Sequence, residues 1–309
     1  DDPLKNGQAL ELLHNLVAER SGTWTPDQRV LQVGLIGSGI QLSRTPFMHE
    51  REAAALGCRL DYHLIDLRRF GVGVESLSAL IGAAQELGFA GLNITHPCKQ
   101  AALQAVDKLA EDAAAIGALN TIVFRDGMRY GFNTDCSGFA ESFQQGLPDV
   151  KKERVLLLGA GGAGAAVAHA LLRIGVDELL IHDVDPDRAR TLVTQIISQF
   201  GSGRAQVSAQ PEQELATANG LVNATPIGME SYPGVPLDTT YLQDSHWLAD
   251  IIYFPIETEL LKQARAQGCQ VLTGEGMAIY QAVHAFRLFT GKEPQPERMK
   301  QFFNLAASR

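Results

Sequence analysis

The sequence lacks the features that mark several large classes of protein. No apolar run approaches the roughly 18 residues that a membrane-spanning helix needs. It has no basic cluster, and 26 lysines and arginines against 35 aspartates and glutamates give a net charge of −9, which disfavours nucleic acid as a partner. The chain starts DDPLKNGQ, without the basic and apolar regions of a signal peptide. We therefore expect a cytoplasmic protein that binds neither membranes nor nucleic acid.

Cysteine is also scarce. The four cysteines, Cys58, Cys98, Cys136 and Cys269, have neither metal-ligand nor redox spacing. A chain of 309 residues is long enough to bury a large core without disulfides. We predict free thiols and no metal site.

The chain does contain strands and helices that alternate in two series. The first series opens with a helix over 9–18 and a polar segment up to residue 29. It continues with strands at 30–37, 60–66 and 89–95, helices at 46–56, 74–88 and 97–109, and a hairpin at 121–134. This alternation implies an α/β fold with parallel sheets covered by helices on both faces.

The second series begins near Val155 and runs to the end of the chain. It has a strand, a glycine turn and a helix at 154–175, strands at 177–185, 221–229, 247–253 and 269–272, and helices at 258–268, 277–291 and 296–306. The break between the series falls around 136–152. We therefore expect two domains: residues 1–135, completed by the closing helices 276–309, and residues 136–275.

A glycine turn opens the second series. Gly159, Gly161 and Gly164 form G-x-G-x-x-G between the apolar strand VLLL and an apolar helix, the context in which this pattern binds a dinucleotide. Glycines let the backbone approach a pyrophosphate, and the helix N-terminus supplies N–H groups. The alternative is a tight turn without a ligand. The residues predicted to contact the cofactor here are Gly159, Ala160, Gly161, Gly162, Ala163 and Gly164.

The strand after this turn ends in an acidic residue. Asp183 lies 19 residues beyond Gly164 (183 minus 164), close to the spacing expected for the carboxylate that binds the adenosine ribose. Such a carboxylate repels a 2′-phosphate, and the next residue is Val184 rather than the arginine typical of NADP sites. The pattern favours NAD over NADP. Asp185 is an alternative ribose ligand, or a cap for the helix that begins at Pro186.

Polar residues that can carry chemistry lie in the first series. Asn93, Thr95 and Lys99 lie at the end of its third strand and in the following turn, and Asn120 and Asp135 flank the hairpin. Carboxyl ends of parallel strands are where open α/β sheets bind ligands. Oxidation of an alcohol needs a base for the hydroxyl proton, and a lysine can supply it while a nearby aspartate orients the amine. Taken singly, Lys99 could equally be a solvent-facing residue and Asp135 a helix cap.

Seven ordered motifs make the chain resemble the shikimate dehydrogenase family from about Val33 to Gly291. They are LSRTP (42–46), Asn-x-Thr-x-Pro-x-Lys (93–99), IGALNT (116–121), Gly-x-Asn-Thr-Asp-x-x-Gly (131–138), Asn-Ala-Thr-x-x-Gly-Met (223–229), Asp-x-x-Tyr-x-Pro (250–255) and Gly-Met-x-x-x-Gln-Ala (276–282). The resemblance implies an N-terminal α/β substrate domain and a Rossmann-type domain, with the substrate in the cleft between them.

The resemblance also implies roles for individual residues. Lys99 and Asp135 fall on the catalytic pair of the family. The implied substrate-binding residues are Ser43, Thr45 and Tyr253 for the carboxylate and Asn93, Thr95, Asn120 and Gln281 for the ring hydroxyls. The implied cofactor-binding residues beyond the glycine turn and Asp183 are Thr225, Met229 and Gly276.

Two departures from the family pattern indicate a subfamily. The biosynthetic, NADP-dependent branch carries Asn-Arg-Thr after the second cofactor strand, where this chain has Asp183-Val184-Asp185. That branch has Ser-x-Ser in its first motif, where this chain has Ser43-Arg44-Thr45. Both differences resemble the NAD-dependent quinate/shikimate dehydrogenases of quinate catabolism. The predicted reaction is reversible oxidation of quinate to 3-dehydroquinate and of shikimate to 3-dehydroshikimate, with NAD as cofactor.

Three alternatives stay open at this point. One is a biosynthetic shikimate dehydrogenase of aromatic amino acid biosynthesis, using NADP, and another is an aminoshikimate-type paralogue. The third is a non-catalytic NAD-binding sensor, against which the intact Lys99–Asp135 pair argues. The expected partners are small-molecule substrates, and the expected oligomeric state is monomer or homodimer.

Overall fold

The computed structural model describes residues 3–21 and 30–307, so most of the predicted polar segment before residue 30 lies outside the described residues. The chain divides into two compact units. Unit 1 comprises the residues up to Thr134 and those from Ala282 onward, and unit 2 comprises Asp135–Gln281. Each unit is built around its own six-stranded sheet.

Unit 1 alternates strands and helices before its hairpin. Its elements are α1 (Asn6–Ser21), β1 (Val30–Gly37), α2 (Thr45–Ala55), β2 (Arg59–Asp66), α3 (Leu67–Phe70), α4 (Leu77–Glu86), β3 (Gly91–Ile94), β4 (Lys108–Leu109), α5 (Glu111–Ile116), β5 (Thr121–Arg125) and β6 (Met128–Phe132). The hairpin turns at Asp126 and Gly127, which both have positive φ, as a two-residue turn matching the strand twist requires.

The first sheet has the order β2-β1-β3-β5-β6-β4 and is mixed. Strands β1, β2 and β3 are parallel, whereas β5 runs antiparallel to both β3 and β6. Helices α1 and α4 pack against each other, and their apolar residues join those of β1 and β3 in one buried cluster. These residues form a helix-covered core on that face of the sheet.

The helix predicted over 97–109 is wrong. The structure has a turn, a 3₁₀ segment at Ala101–Ala105 and the short strand β4. β4 pairs in parallel with β6, placing Lys108 opposite Tyr130 and Leu109 opposite Gly131. This pairing with a distant strand requires extended backbone, so it overrides the local preference of an alanine-rich stretch for helix.

Unit 2 repeats the alternation without a hairpin. Its elements are α6 (Thr134–Gly146), β7 (Arg154–Leu158), α7 (Gly162–Arg173), β8 (Glu178–His182), α8 (Pro186–Phe200), β9 (Ala205–Val207), α9 (Pro211–Glu214), β10 (Gly220–Asn223), β11 (Trp247–Asp250), α10 (Glu259–Ala266), β12 (Gln270–Leu272) and the start of α11 (Glu275–Thr290). Local signals define several helix starts. Asp185 caps α8 through Asp187 N, and Thr258 caps α10 through Leu261 N.

The second sheet is fully parallel and has the order β12-β11-β10-β7-β8-β9. Renumbered within the unit, the order is 3-2-1-4-5-6, that of Rossmann domains, which bind dinucleotides where the strand order reverses. That point lies between β7 and β10. The predicted Rossmann-type domain is confirmed.

Helix α11 crosses the division between the units, and the chain ends in unit 1 with α12 (Pro296–Ala307). The sequence places residues 276–281 and Asp135 in the first domain, whereas the structure groups them with unit 2. The reason is close packing between α6 and the first half of α11. A Cβ added at Gly276 would overlap the Ser142 hydroxyl, and one at Gly138 would lie 2.7 Å from Gln281 N.

A buried ion pair anchors α12. The Glu52 carboxylate on α2 is fully buried and accepts from Arg298 Nε at 2.8 Å and Nη2 at 2.6 Å, and from Gln295 N at 3.0 Å.

No helix in the described part of the chain combines the length and apolarity needed to cross a bilayer.

Candidate active site

Several predicted substrate-binding residues meet at one edge of the first sheet. Gly37 at the end of β1 pairs with Asp66 at the end of β2, and Ile36 pairs with Ile94 at the end of β3. Because β5 is antiparallel to β3, its first residue, Thr121, comes to the same edge. The residues that leave this edge are Ser43, Thr45, Thr95, Lys99 and Asn120, with Asn93 one residue inside β3.

Asp66 holds the loop that carries Ser43 and leads to Thr45, the first residue of α2. This buried carboxylate accepts from Gly39 N at 2.8 Å, Ile40 N at 3.2 Å and Gln41 Nε2 at 3.0 Å. These hydrogen bonds to the ionised form lower the pKa of Asp66, although burial opposes them. No sequence motif pointed to Asp66, whose only signal was an acidic residue at the end of a strand.

Asn93 and Asn120 are buried and belong to one hydrogen-bonded row. The backbone N–H of Thr134 can only donate, so it fixes Asn120 Oδ1 as its acceptor at 2.8 Å. The Thr121 hydroxyl donates to the same oxygen and accepts from Asn93 Nδ2 at 3.1 Å. Asn93 Oδ1 then accepts from the Tyr62 hydroxyl at 2.7 Å. One backbone amide therefore orients both side-chain amides.

The turn after β3 carries Thr95 and Lys99, both half-buried. A Cβ at Gly37 would overlap the Thr95 methyl group, so glycine at 37 allows Thr95 to pack against the end of β1. Thr95 N donates to Ile36 O at 2.9 Å, and Lys99 O accepts from Leu119 N at 3.1 Å. These backbone bonds place Lys99 beside the segment that carries Asn120.

The glycine turn of unit 2 lies between β7 and α7, as predicted. Two of its glycines are required by the fold. A Cβ at Gly159 would lie 2.6 Å from Ala224 O, and one at Gly164 would overlap Gly159 O. Gly161 and Gly162 have no atom within 4 Å of such a Cβ. Their missing side chains leave open space above the turn, which is what close approach of a pyrophosphate requires.

The N-terminus of α7 offers free backbone donors to that space. Gly161 is its N-cap and supplies no side-chain cap. The first N–H groups of a helix have no intrahelical partner and carry partial positive charge. A diphosphate would fit this position, where the backbone N–H groups of Gly161, Gly162 and Ala163 could donate to it.

Asp183 lies beside the glycine turn. Its Oδ2 accepts from Ala160 N at 2.7 Å and its Oδ1 from Asp185 N at 2.8 Å. Val184 is 89% exposed. The two nearest arginines in sequence, Arg188 and Arg190, form ion pairs with Asp185 and Asp187 of their own helix.

The loop after β10 carries Thr225 and Met229. Asn223 Oδ1 accepts from Thr225 N at 3.1 Å and from the Thr225 hydroxyl at 2.7 Å. Met229 is 38% exposed, so part of its side chain is accessible to a ligand bound at this loop. Because Asn223 pairs with Leu158 across β10 and β7, Thr225 leaves the sheet beside the glycine turn.

The remaining predicted residues fall elsewhere in unit 2. Tyr253 is 45% exposed in the loop after β11. Asp135 is the second residue of α6, and Gln281 lies on α11 with its Nε2 donating to Ala278 O. Gly276 packs closely against Ser142, and this packing explains a glycine at position 276 without the predicted cofactor contact.

The four cysteines are free thiols. Within residues 3–21 and 30–307, no three histidine, cysteine, aspartate or glutamate side chains form a group that could hold a metal ion.

The Rossmann strand order, the glycine turn and the acid after β8 define the class of protein. It is a dinucleotide-binding protein in which a second α/β unit carries a polar sheet edge.

Comparison with known families agrees with this class. The shikimate dehydrogenase substrate-binding domain family matches residues 35–122, and the shikimate 5′-dehydrogenase C-terminal domain family matches 274–301. The ThiF family matches 133–219, a range that includes the glycine turn.

Individual relatives are similar over almost their whole length. The chain is 54% identical to a shikimate dehydrogenase (NADP(+)) of Streptomyces avermitilis, over 86% of this chain and 92% of the relative. It is 49% identical to a quinate/shikimate dehydrogenase (NAD(+)) of Corynebacterium efficiens, over 88% and 96%. The solved structure of quinate dehydrogenase from Corynebacterium glutamicum in complex with NAD is 47% identical, with a TM-score of 0.86 over 89% of this chain and 99% of that one. The chain belongs to the shikimate dehydrogenase family.

Proposed function

We propose that this protein reversibly oxidises quinate to 3-dehydroquinate and shikimate to 3-dehydroshikimate, with NAD as cofactor. The observation that carries the cofactor assignment is Asp183, whose carboxylate lies against the glycine turn and has an uncharged, exposed neighbour in Val184. A 2′-phosphate at this place would meet a negative charge, and the nearby arginines pair with acids of α8. The ribose hydroxyls of NAD would instead donate to that carboxylate.

The residues of unit 2 fit a dinucleotide. Backbone groups of Gly159–Gly164 would hold the pyrophosphate, because Gly161 and Gly162 leave the space that a phosphate needs. Thr225 and Met229 would line the nicotinamide, since their loop leaves the sheet at the strand-order reversal. When bound, NAD supplies the acceptor for the hydride. Gly276 would contribute to the same site.

The edge of the first sheet suits a polyhydroxylated ring bearing a carboxylate. Ser43 and Thr45, together with Tyr253, would donate hydroxyl hydrogen bonds to the carboxylate. The oriented amides of Asn93 and Asn120, with Thr95 and Gln281, would bind ring hydroxyls. An amide nitrogen carries two protons, so Asn120 has one left beyond its 2.9 Å bond to Thr134.

Lys99 and Asp135 would carry the proton transfer. In the oxidative direction Lys99 Nζ accepts the hydroxyl proton while the carbon-bound hydrogen leaves as hydride. In the reductive direction Lys99 returns that proton to the carbonyl oxygen. Asp135 would accept hydrogen bonds from the lysine and from the substrate hydroxyl, which orients both groups.

Product identity tests this proposal. Purified protein with NAD and either quinate or shikimate should increase absorbance at 340 nm and yield a product two mass units lighter by mass spectrometry (the loss of two hydrogens). Absence of turnover with both acids, while NAD still binds, would contradict the proposed reaction and favour a non-catalytic NAD-binding sensor.

One observation favours a second candidate. The relative from Streptomyces avermitilis, at 54% identity, is named an NADP-dependent shikimate dehydrogenase. The same assay, repeated with NADP, separates the two, because a biosynthetic enzyme would oxidise shikimate with NADP and leave quinate unchanged.

A further inference from the structure

Asp250 ends strand β11 with a carboxylate that is 2% exposed. Its Oδ1 accepts from Asn223 Nδ2 at 3.2 Å and from Ile252 N at 3.0 Å. Its Oδ2 accepts from the Thr258 hydroxyl at 2.9 Å. All of these donors are uncharged, so the carboxylate is buried among dipoles rather than beside a cation.

Each donor belongs to a different segment near the proposed nicotinamide site. Asn223 ends β10, and its own Oδ1 holds Thr225 through both the backbone N–H and the hydroxyl. Ile252 is the second residue of the loop that carries Tyr253. Thr258 caps α10. The carboxylate of Asp250 therefore fastens the loop after β10 (224–229) and the loop after β11 (251–257) to the start of one helix.

The charge itself opposes folding. Burial raises the pKa of Asp250 to about 6, although its hydrogen bonds act in the opposite direction. A buried charge without a cation is costly even when it is hydrogen-bonded. An asparagine would fill the same volume without this cost. It would have only one acceptor oxygen, however, and could not accept from Asn223, Ile252 and Thr258 together.

We propose that Asp250 is a positioning residue that fixes both loops, and with them Thr225, Met229 and Tyr253, in the arrangement that hydride transfer needs. It acts through these residues and is not itself a catalytic residue. This inference rests on the proposed function.

Asp250→Asn tests the inference, with Asp238→Asn as the matched control. Asp238 also accepts from a backbone N–H two residues on and from a threonine hydroxyl, both of Thr240, but it is exposed. At pH 8 we expect Asp250→Asn to unfold at a temperature no lower than the wild type, because it removes a buried charge. We expect its kcat to fall at least about tenfold, the equivalent of one lost hydrogen bond.

Two further readouts separate positioning from general damage. The Kd for ADP-ribose, which probes the glycine turn and Asp183, should stay within about threefold of wild type. Hydrogen exchange should accelerate in 224–229 and 251–257 only, and Asp250→Ala should enlarge both the kcat and the exchange effects. Asp238→Asn should leave kcat and exchange in these loops unchanged.

Wild-type kcat and wild-type exchange in Asp250→Asn would overturn the inference. So would a lower unfolding temperature with loss of ADP-ribose binding, which would indicate a merely structural role. If the wild type binds ADP-ribose but oxidises neither acid, the proposed function fails on its own. The exchange pattern of Asp250→Asn would then still decide whether this residue fixes the two loops.

Discussion

We expect His49 to make the stability of unit 1 sensitive to acid. Its ring is fully buried on α2, and Tyr62, Phe286 and Phe289 pack around it. Neither ring nitrogen has a hydrogen-bond partner among residues 3–21 and 30–307. Burial lowers the pKa of His49 from its ordinary value of 6.5 to about 3. Between these values the unfolded chain binds a proton that the folded chain excludes, so stability falls as pH falls from 6.5 towards 3.

The size of this effect follows from the pKa values. At 1.36 kcal/mol per pH unit, the fully developed loss is about 5 kcal/mol, and at pH 4.5 it is about 3 kcal/mol. His49→Phe removes the titrating group and keeps an aromatic ring among the surrounding aromatic side chains. When the pH changes from 7.5 to 4.5, we therefore expect the free energy of unfolding of the variant to rise by about 3 kcal/mol relative to that of the wild type.

Urea unfolding followed by circular dichroism at both pH values measures this gain. His63, whose pKa burial lowers to about 4, contributes acid sensitivity to both proteins and cancels in the comparison. His14→Phe, at an exposed position of α1, is the control and should show no such gain. If His49→Phe changes stability equally at pH 7.5 and 4.5, the buried neutral histidine is the wrong explanation.

Three further predictions concern the site. Lys99→Ala should lower kcat far more than it raises KM, because the proton acceptor is lost while substrate contacts remain; steady-state kinetics with a near-normal kcat would remove Lys99 from the mechanism. Gly161→Ala should fold with wild-type stability but weaken NAD binding at least about tenfold, whereas Gly164→Ala should lower the unfolding temperature because its Cβ meets Gly159 O. Calorimetry measures both effects, and unchanged NAD binding in Gly161→Ala would contradict the proposal that the open space at Gly161 holds the pyrophosphate. Thr45→Ser should change the ratio of kcat/KM for quinate to that for shikimate, and an unchanged ratio would exclude the threonine methyl as a determinant.

The sequence was informative where structure depends on neighbouring residues. The glycine turn, the hairpin at Asp126-Gly127 and the cap at Asp185 are local patterns with local causes, and each lies in the structure where the pattern predicts it. The family and the two-part α/β fold followed from ordered motifs and alternating periodicity.

The rest depends on contacts between distant segments. The helix predicted over 97–109 failed because β4 pairs with β6, and no local pattern encodes that pairing. The roles of Asp66 and Asp250 emerge only when loops and helices from other parts of the chain supply donors to one carboxylate. Tyr62 similarly reaches Asn93 only through the parallel sheet.

The cofactor preference of the wild-type enzyme tests the central claim most directly. Initial rates with quinate and with shikimate, each with NAD and with NADP, give the ratio of kcat/KM for the two cofactors. Asp183 beside the glycine turn predicts a ratio of at least about ten in favour of NAD with both acids, the equivalent of about 1.4 kcal/mol. Equal or better use of NADP would contradict the assignment of Asp183, and activity confined to shikimate with NADP would in addition identify a biosynthetic shikimate dehydrogenase.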